Sequence, residues 1–133
     1  MFALPKKALA LLAAMVAVAA LFGASLGIVA AGQKPTLFEG SNPTYGGPLA
    51  GDVTPDHWVS CLPSQSWRAV YMWEPNSQTW RHYFNTEKNI PAYVNNAEVG
   101  GIVEIPRLRG LAMIMDQQVD SPFMPDAQTQ QCP

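Results

Sequence analysis

The sequence has few charged residues and few cysteines, and its charge balance is not basic. Charged residues make up 14% of the 133 residues, and there are two cysteines and two histidines. Beyond Gly32, ten Asp and Glu outnumber six Lys and Arg, which gives a net charge of −4. Nucleic acids and anionic membrane surfaces are bound by clustered Lys and Arg. The composition therefore argues against both, and we predict no nucleic-acid partner.

The motifs of enzymes and of metal or cofactor sites are also missing. There is no Cys-x-x-Cys-His motif for covalent haem, and His57 and His82 have no further ligands at metal-binding spacing. Nucleophile motifs, phosphate-binding glycine loops and calcium loops are absent. The acidic residues show none of the pairing that glycoside hydrolysis needs. We therefore predict a non-catalytic protein without a cofactor or metal, in which each histidine is a polar residue on a strand face.

A long apolar run lies near the N-terminus. Residues 8–31 include only three residues that are not apolar, two lysines precede them, and no charge follows until Lys34. As an α-helix, a run of this length rises about 36 Å, whereas bilayer hydrocarbon is about 30 Å thick. Residues 1–32 are therefore predicted to be a transmembrane signal-anchor in the inner (cytoplasmic) membrane, with the N-terminus inside and the remainder outside. The small residues at 29–31 also fit signal-peptidase cleavage before Gly32, which would give a secreted protein.

A stripe of small residues follows one face of this predicted helix. Ala19, Gly23, Gly27 and Ala31 recur every four residues and include a G-x-x-x-G match. Small residues allow two helix backbones to approach closely in lipid. The stripe predicts helix packing against a neighbouring transmembrane helix, from a second copy or another subunit. An alanine-rich span also produces such a pattern without any partner.

Two proline-containing segments flank the predicted exported domain. Residues 33–56 contain four prolines and four glycines and show neither strand nor helix periodicity, which predicts an extended linker. Residues 117–133 are polar and contain three prolines, which predicts a C-terminal tail with little regular structure.

Between them, residues 57–116 are expected to form an all-β domain of about four to six short strands. Residues 57–62 are predicted as the first strand and residues 111–115 as a buried final strand. The fold class is therefore a small Trp-rich antiparallel sheet or sandwich.

The clearest local pattern in this domain predicts a β-hairpin. Aromatic residues alternate along 67–73 and again along 80–84, and a proline-containing turn segment separates the two runs. Trp73 should lie opposite Trp80, with Tyr71 opposite His82 and Ala69 opposite Phe84. Such cross-strand aromatic pairs contribute about 0.2–1 kcal/mol each.

The hairpin also holds the candidate binding surface. We expect Trp73 and Trp80 to be packed. If one face of the hairpin stays open instead, its aromatic residues would form a surface for a sugar ring or a flat apolar protein partner. Two arginines on the opposite face are predicted to lie close together, within reach of a partner carboxylate. The candidate residues are Trp67, Tyr71, Trp73, Trp80 and His82, with Arg68 and Arg81.

Cys61 and Cys132 are predicted to form a disulfide, because an even cysteine count in an oxidising compartment favours pairing. The bond would close a loop of about 70 residues and join the tail to the first predicted strand. Free thiols or a bridge to a partner are the alternatives.

Three short runs follow one another in the β-domain. They read Tyr71-x-Trp73-x-Pro75-x-x-x-x-Trp80-x-x-Tyr83, Pro91-Ala92-x-Val94-Asn95 and Leu108-x-Gly110-x-Ala112-x-Ile114. Together they resemble a recurring Trp-rich β-domain of exported bacterial surface proteins, over residues 58–115. Met113 occupies the position of a Trp in that pattern. The resemblance implies an exported β-module and no catalytic residues.

Two functions fit these observations. The first is a non-catalytic, single-pass accessory or scaffold subunit whose extracytoplasmic domain docks on partner proteins of a membrane complex. The second is a cell-surface or secreted module that recognises glycan through its aromatic strip.

Overall fold

A computed structural model of the protein describes residues 32–47 and 52–133. The predicted anchor helix, with its stripe of Ala19, Gly23, Gly27 and Ala31, lies outside the described residues. Among the residues that are described, no helix is long and apolar enough to cross a membrane.

Four antiparallel strands form one sheet in the order β1-β4-β2-β3. The strands are β1 (Gly40–Tyr45), β2 (Trp67–Glu74), β3 (Thr79–Phe84) and β4 (Gly110–Met115). A short helix, α1 (Pro55–Trp58), precedes β2. Three short 3₁₀ helices connect β3 to the segment before β4, namely Thr86–Lys88, Ala92–Asn95 and Ala97–Val99. The prediction of a small all-β antiparallel sheet is confirmed.

The β2–β3 hairpin has the predicted register. Trp73 is opposite Trp80, Tyr71 is opposite His82, and Ala69 is opposite Phe84. The strands form here because β-branched and aromatic residues alternate along both of them and a proline turn joins them without a gap.

The first predicted strand, residues 57–62, is wrong, because α1 includes residues 57–58 and turns follow it at residues 59–62. Pro55 occupies the first turn of α1, where its missing N–H costs nothing, and the N–H of Trp58 donates to the Thr54 carbonyl at 2.9 Å. Trp58, Val59 and Leu62 are all buried. Their spacing of one and four residues fits the face of a helical turn and not the period of two of a strand.

The segment predicted as an extended linker instead contains β1. Its residues show no apolar alternation, because the one buried side chain in the strand is polar. Asn42 accepts from the Phe38 N–H at 2.8 Å and donates to the Phe38 and Gly40 carbonyls. These bonds satisfy the buried amide, so a polar strand can lie against the core.

One face of the sheet is covered by α1 and by mostly irregular chain, together here called the covering layer (residues 32–38, 53–62, 102–105 and 119–124). Residues 33 and 37 pair with residues 123 and 119 through isolated bridges. The predicted tail has no helix or strand, but it packs: Met124 is fully buried. Between sheet and covering layer lies one apolar core, formed by Leu37, Val53, Trp58, Val59, Leu62, Trp67, Val70, Met72, Ile102, Ile105, Leu111, Met113, Met115 and Met124.

The predicted disulfide between Cys61 and Cys132 is confirmed, with the two Cα atoms 5.4 Å apart. It joins the end of the chain to the residues that follow α1. Cys61 belongs to the covering layer and Cys132 lies eight residues beyond its last segment, so the bond attaches the C-terminal residues to the covering layer.

Candidate binding surface

An irregularity in β2 decides which tryptophans face the core. Trp67 pairs with Met115 and Ala69 with Ile114, so β2 has one extra residue, Arg68, against β4. Such a bulge shifts the alternation by one position. Trp67 therefore lies on the buried side with 6% exposure and stacks on Tyr83 at a centroid distance of 6.0 Å. It is not part of the aromatic surface on which the regular alternation placed it.

The opposite side of the sheet, here called the outer face, carries the remaining aromatic residues of the hairpin. Trp73 is 40% exposed and Trp80 is 58% exposed, so the expectation that both are packed is wrong. Their rings meet edge to face at 5.4 Å, and Tyr71 meets Phe84 in the same manner at 6.1 Å. The aromatic residues thus support one another laterally and keep their outward surfaces open.

A depression of about 410 Å³ lies on the outer face. It forms where Ala112 of β4 stands opposite Tyr71 of β2, because the small alanine leaves space between larger neighbours. Two hydroxyl groups and one indole N–H are the only polar side-chain groups that its lining residues contribute. The lining consists of Ser41, Tyr71, Trp80, Ala112 and Ile114.

His82 is fixed by the domain and has no metal partner in the described part of the chain. Its Nε2 lies 2.8 Å from the Val94 carbonyl, to which it donates, and its ring packs on Phe84 at 4.8 Å. Within residues 32–47 and 52–133, no three His, Cys, Asp or Glu side chains lie together as a metal site requires. The imidazole ring of His82 is therefore held in place and lies half-buried at the edge of the outer face.

The two candidate arginines lie at opposite ends of the hairpin, so the prediction that they are close together is wrong. Arg81 is opposite Met72 near the turn and donates to the Ala97 carbonyl at 3.3 Å. Arg68, at the bulge, contacts the carboxylate of Asp116 at 2.7 Å, and Lys88 contacts the same carboxylate at 3.1 Å. Neither arginine is among the residues that line the depression.

Asp116 should give the domain a measurable acid sensitivity. The hydrogen bond from Lys88, together with Arg68, holds the pKa of Asp116 below its ordinary value of 3.8. A carboxyl group with a lowered folded-state pKa stabilises the fold above that ordinary value and loses this contribution as pH falls through the folded-state pKa. Asp116→Asn should therefore unfold at slightly lower denaturant than the wild type at pH 7, with the difference vanishing toward pH 2.

Urea titrations at several pH values measure this difference, and Glu98→Gln serves as an exposed control. An Asp116→Asn deficit that stays constant down to pH 2 would contradict the ion-pair explanation.

Burial also shifts a pKa on the core side of the sheet, near the bulge in β2. It raises the pKa of the Tyr83 phenol, with a smaller contribution from the charge of Asp56. Tyr83 therefore stays neutral and packs as an aromatic core residue beside Trp67.

The two edges of the sheet are poorly suited to adding another strand. Beside β3, the Asn95 side chain accepts from the Phe84 N–H at 2.7 Å and donates to the Phe84 carbonyl at 2.9 Å. The N–H and carbonyl of His82 bond to Gly100 and Ile102. On the other edge, Pro43 of β1 has no N–H to offer. These are familiar means of closing a sheet edge against a further strand.

The chain, compared with known proteins, matches no protein-family model, no curated protein and no solved structure.

Sequence reasoning found Tyr71, Trp73, Trp80 and His82, and it missed Ser41, Ala112 and Ile114. Ser41 lies in the segment predicted as a linker, and residues 111–115 are predicted as a buried strand. The available signal was the position of Ala112 between two large residues, since a small residue in a central strand can leave a depression.

Proposed function

We propose that this chain is a non-catalytic, single-pass accessory subunit of a membrane complex, with its β-domain outside the cytoplasmic membrane. The domain binds a partner protein through the outer face. The observation that carries the proposal is the exposed apolar depression between Tyr71, Trp80 and Ile114. The apolar run of residues 8–31 supports the membrane anchor, and the disulfide fits an oxidising compartment.

The chemistry of the depression favours a protein over a glycan. Sugars present many hydroxyl groups, and a site that buries them must offer hydrogen-bond partners in return. The lining here offers two hydroxyls and one indole N–H, and its floor is Ala112 and Ile114. An aliphatic or aromatic side chain of a protein partner needs no such partners. Aromatic anchors of this kind dominate the energetics of protein interfaces.

The proposal is tested with a photo-crosslinking residue in place of Trp80 in the full-length protein, in the membranes of cells that normally make it. Activation should give one discrete protein adduct. The second change Ala112→Arg should abolish that adduct, because it places a charged side chain in the depression. Loss of a central anchor typically costs at least about 2 kcal/mol, which is about a 30-fold loss of affinity.

A crosslinker in place of Thr129, which is exposed on the C-terminal segment, is the matched control and should give no such adduct. An adduct at position 80 that survives Ala112→Arg would contradict docking on the outer face. A monomer that forms no adduct, is retained on polysaccharide and loses this retention with Trp80→Ala would instead support the glycan module.

A further inference from the structure

Gly32 is built into the β-domain and is not part of a tether. Its carbonyl accepts from the Met124 N–H at 2.7 Å, and a side chain in its place would clash with the ring of Phe123 at 2.8 Å. Lys34 and Leu37, which follow it, are buried. The predicted membrane span reaches Ala31. The domain therefore begins within one or two residues of the point where the chain would leave the bilayer.

The position of Gly32 identifies one end of the sheet. The Nζ of Lys34 donates to the Tyr45 carbonyl at 3.0 Å, whereas the Phe38 N–H contacts Asn42 nearer the start of β1. The segment 34–38 thus runs antiparallel to β1, and Gly32 lies beyond Tyr45. Since Gly32 is two residues from Lys34, about 7 Å of chain separates them at most.

This same end of the sheet carries a row of exposed aromatic side chains. Tyr45 of β1 is opposite Gly110 of β4. On the next strand, Trp73 follows Met72, which is opposite Leu111, so Trp73 lies level with Gly110. Trp80 of β3 is in turn opposite Trp73. Three strand spacings separate Tyr45 from Trp80, a span of about 14 Å. Leu108 adjoins the row through its N–H, which donates to the Gly46 carbonyl at 3.0 Å. All four side chains are more than one-third exposed.

We propose that this end of the sheet, marked by Tyr45, Trp73, Trp80 and Leu108, lies in the headgroup region of the bilayer that holds the anchor. The proposal rests on the membrane anchor of the proposed function. Trp and Tyr favour the membrane–water interface, because their rings are apolar and their N–H or O–H groups remain in contact with water. Arg109, whose guanidinium donates to the Trp73 carbonyl at 3.4 Å, is placed to extend toward lipid phosphates.

This contact differs from electrostatic membrane binding. The domain has a net negative charge, so it offers no broad basic surface to anionic lipid. Under this proposal the anchor holds the domain at the bilayer, and the aromatic row then contacts the lipid headgroups. The strands then run away from the membrane, and the depression on the outer face points sideways. A neighbouring protein of the same membrane can reach the depression from the side.

The test uses the full-length protein, disulfide intact, reconstituted into phosphatidylcholine vesicles in which part of the lipid carries bromine near the headgroup end of its acyl chains. Bromine quenches tryptophan fluorescence only at close range. Brominated lipid should remove about half of the emission of the wild type, since two of the four tryptophans lie at this end. It should remove little from Trp73→Phe/Trp80→Phe, whose remaining tryptophans are buried in the core.

Phe38 supplies a matched control at the opposite end of the sheet. It is 60% exposed, close to the 58% of Trp80, and its N–H donates to the side chain of Asn42, which lies three residues, or about 10 Å, along β1 from Tyr45. Phe38→Trp in the Trp73→Phe/Trp80→Phe background should be quenched by aqueous iodide and not by brominated lipid.

The outcomes separate the two proposals. Protein that floats with the vesicles but keeps its full emission in brominated lipid overturns the membrane-facing end and leaves the anchor standing. Equal lipid quenching of the Phe38→Trp variant overturns the orientation. Protein that does not float with the vesicles overturns both this inference and the anchored subunit from which it starts.

Discussion

Replacing Trp58 with Ala is expected to lower the free energy of unfolding by about 3–5 kcal/mol, the range for removing a large buried aromatic side chain. Trp58 is 0% exposed and is the largest fully buried side chain in the core. It projects from α1 into the core between the covering layer and the sheet, so its loss leaves a cavity there. Chemical denaturation of the full-length protein measures the loss.

Trp58→Phe is the informative control for this prediction. The indole Nε1 makes no hydrogen bond within the described part of the chain. Replacing the indole with a phenyl ring therefore removes volume but breaks no hydrogen bond. Trp58→Phe should lower the free energy of unfolding by less than half as much as Trp58→Ala. Equal losses from Phe and Ala would show that the indole N–H has a partner and that packing is not the main term.

Removing the disulfide with Cys61→Ser/Cys132→Ser is expected to cost about 4 kcal/mol on the chain-entropy model, given the sequence separation of 71 residues. For a domain of this size, each kcal/mol corresponds to about 4–8 °C in the melting temperature, so the midpoint should fall by about 15–30 °C. Loss of the bond raises the conformational entropy of the unfolded chain, because the bond closes a long loop there. In the folded protein it also frees the covering layer from the chain end.

Thermal melts of the wild type under reducing and non-reducing conditions provide the comparison for the serine variant. Reduced wild type and the serine variant should melt together, well below the oxidised protein. A serine variant that melts with the oxidised protein would show that the unfolded chain is already restricted. The losses from the disulfide and Trp58 should not add, because Cys61 and Trp58 lie three residues apart in the same segment of the covering layer.

The hairpin could be predicted from sequence because all of its information is local. Alternating residues, a proline turn and two closing tryptophans lie within about 18 consecutive residues, and the resulting register matches the structure. By contrast, β1 exists because β4 lies beside it, some 70 residues further along the chain. Its own residues, with a buried asparagine and a central proline, do not favour a strand by themselves.

The candidate surface was predictable only in part for a related reason. Alternation correctly grouped Tyr71, Trp73 and His82, but it could not locate the bulge that turns Trp67 inward, since a bulge depends on pairing with β4. Which side of the sheet would be covered was also undecided, because the covering layer consists of mostly irregular segments with no periodicity. Exposure of Trp73 and Trp80 therefore required the structure.

The closed edges of the sheet have a consequence for the protein at high local density. Copies at high concentration meet often, and two sheets with open edges could pair into a continuous ribbon and then into fibrils. Asn95 occupies the hydrogen-bonding groups of Phe84 on one side, and Pro43 interrupts the other. Crowded copies thus resist polymerisation through their backbones, while the aromatic surface between the edges remains available to other molecules.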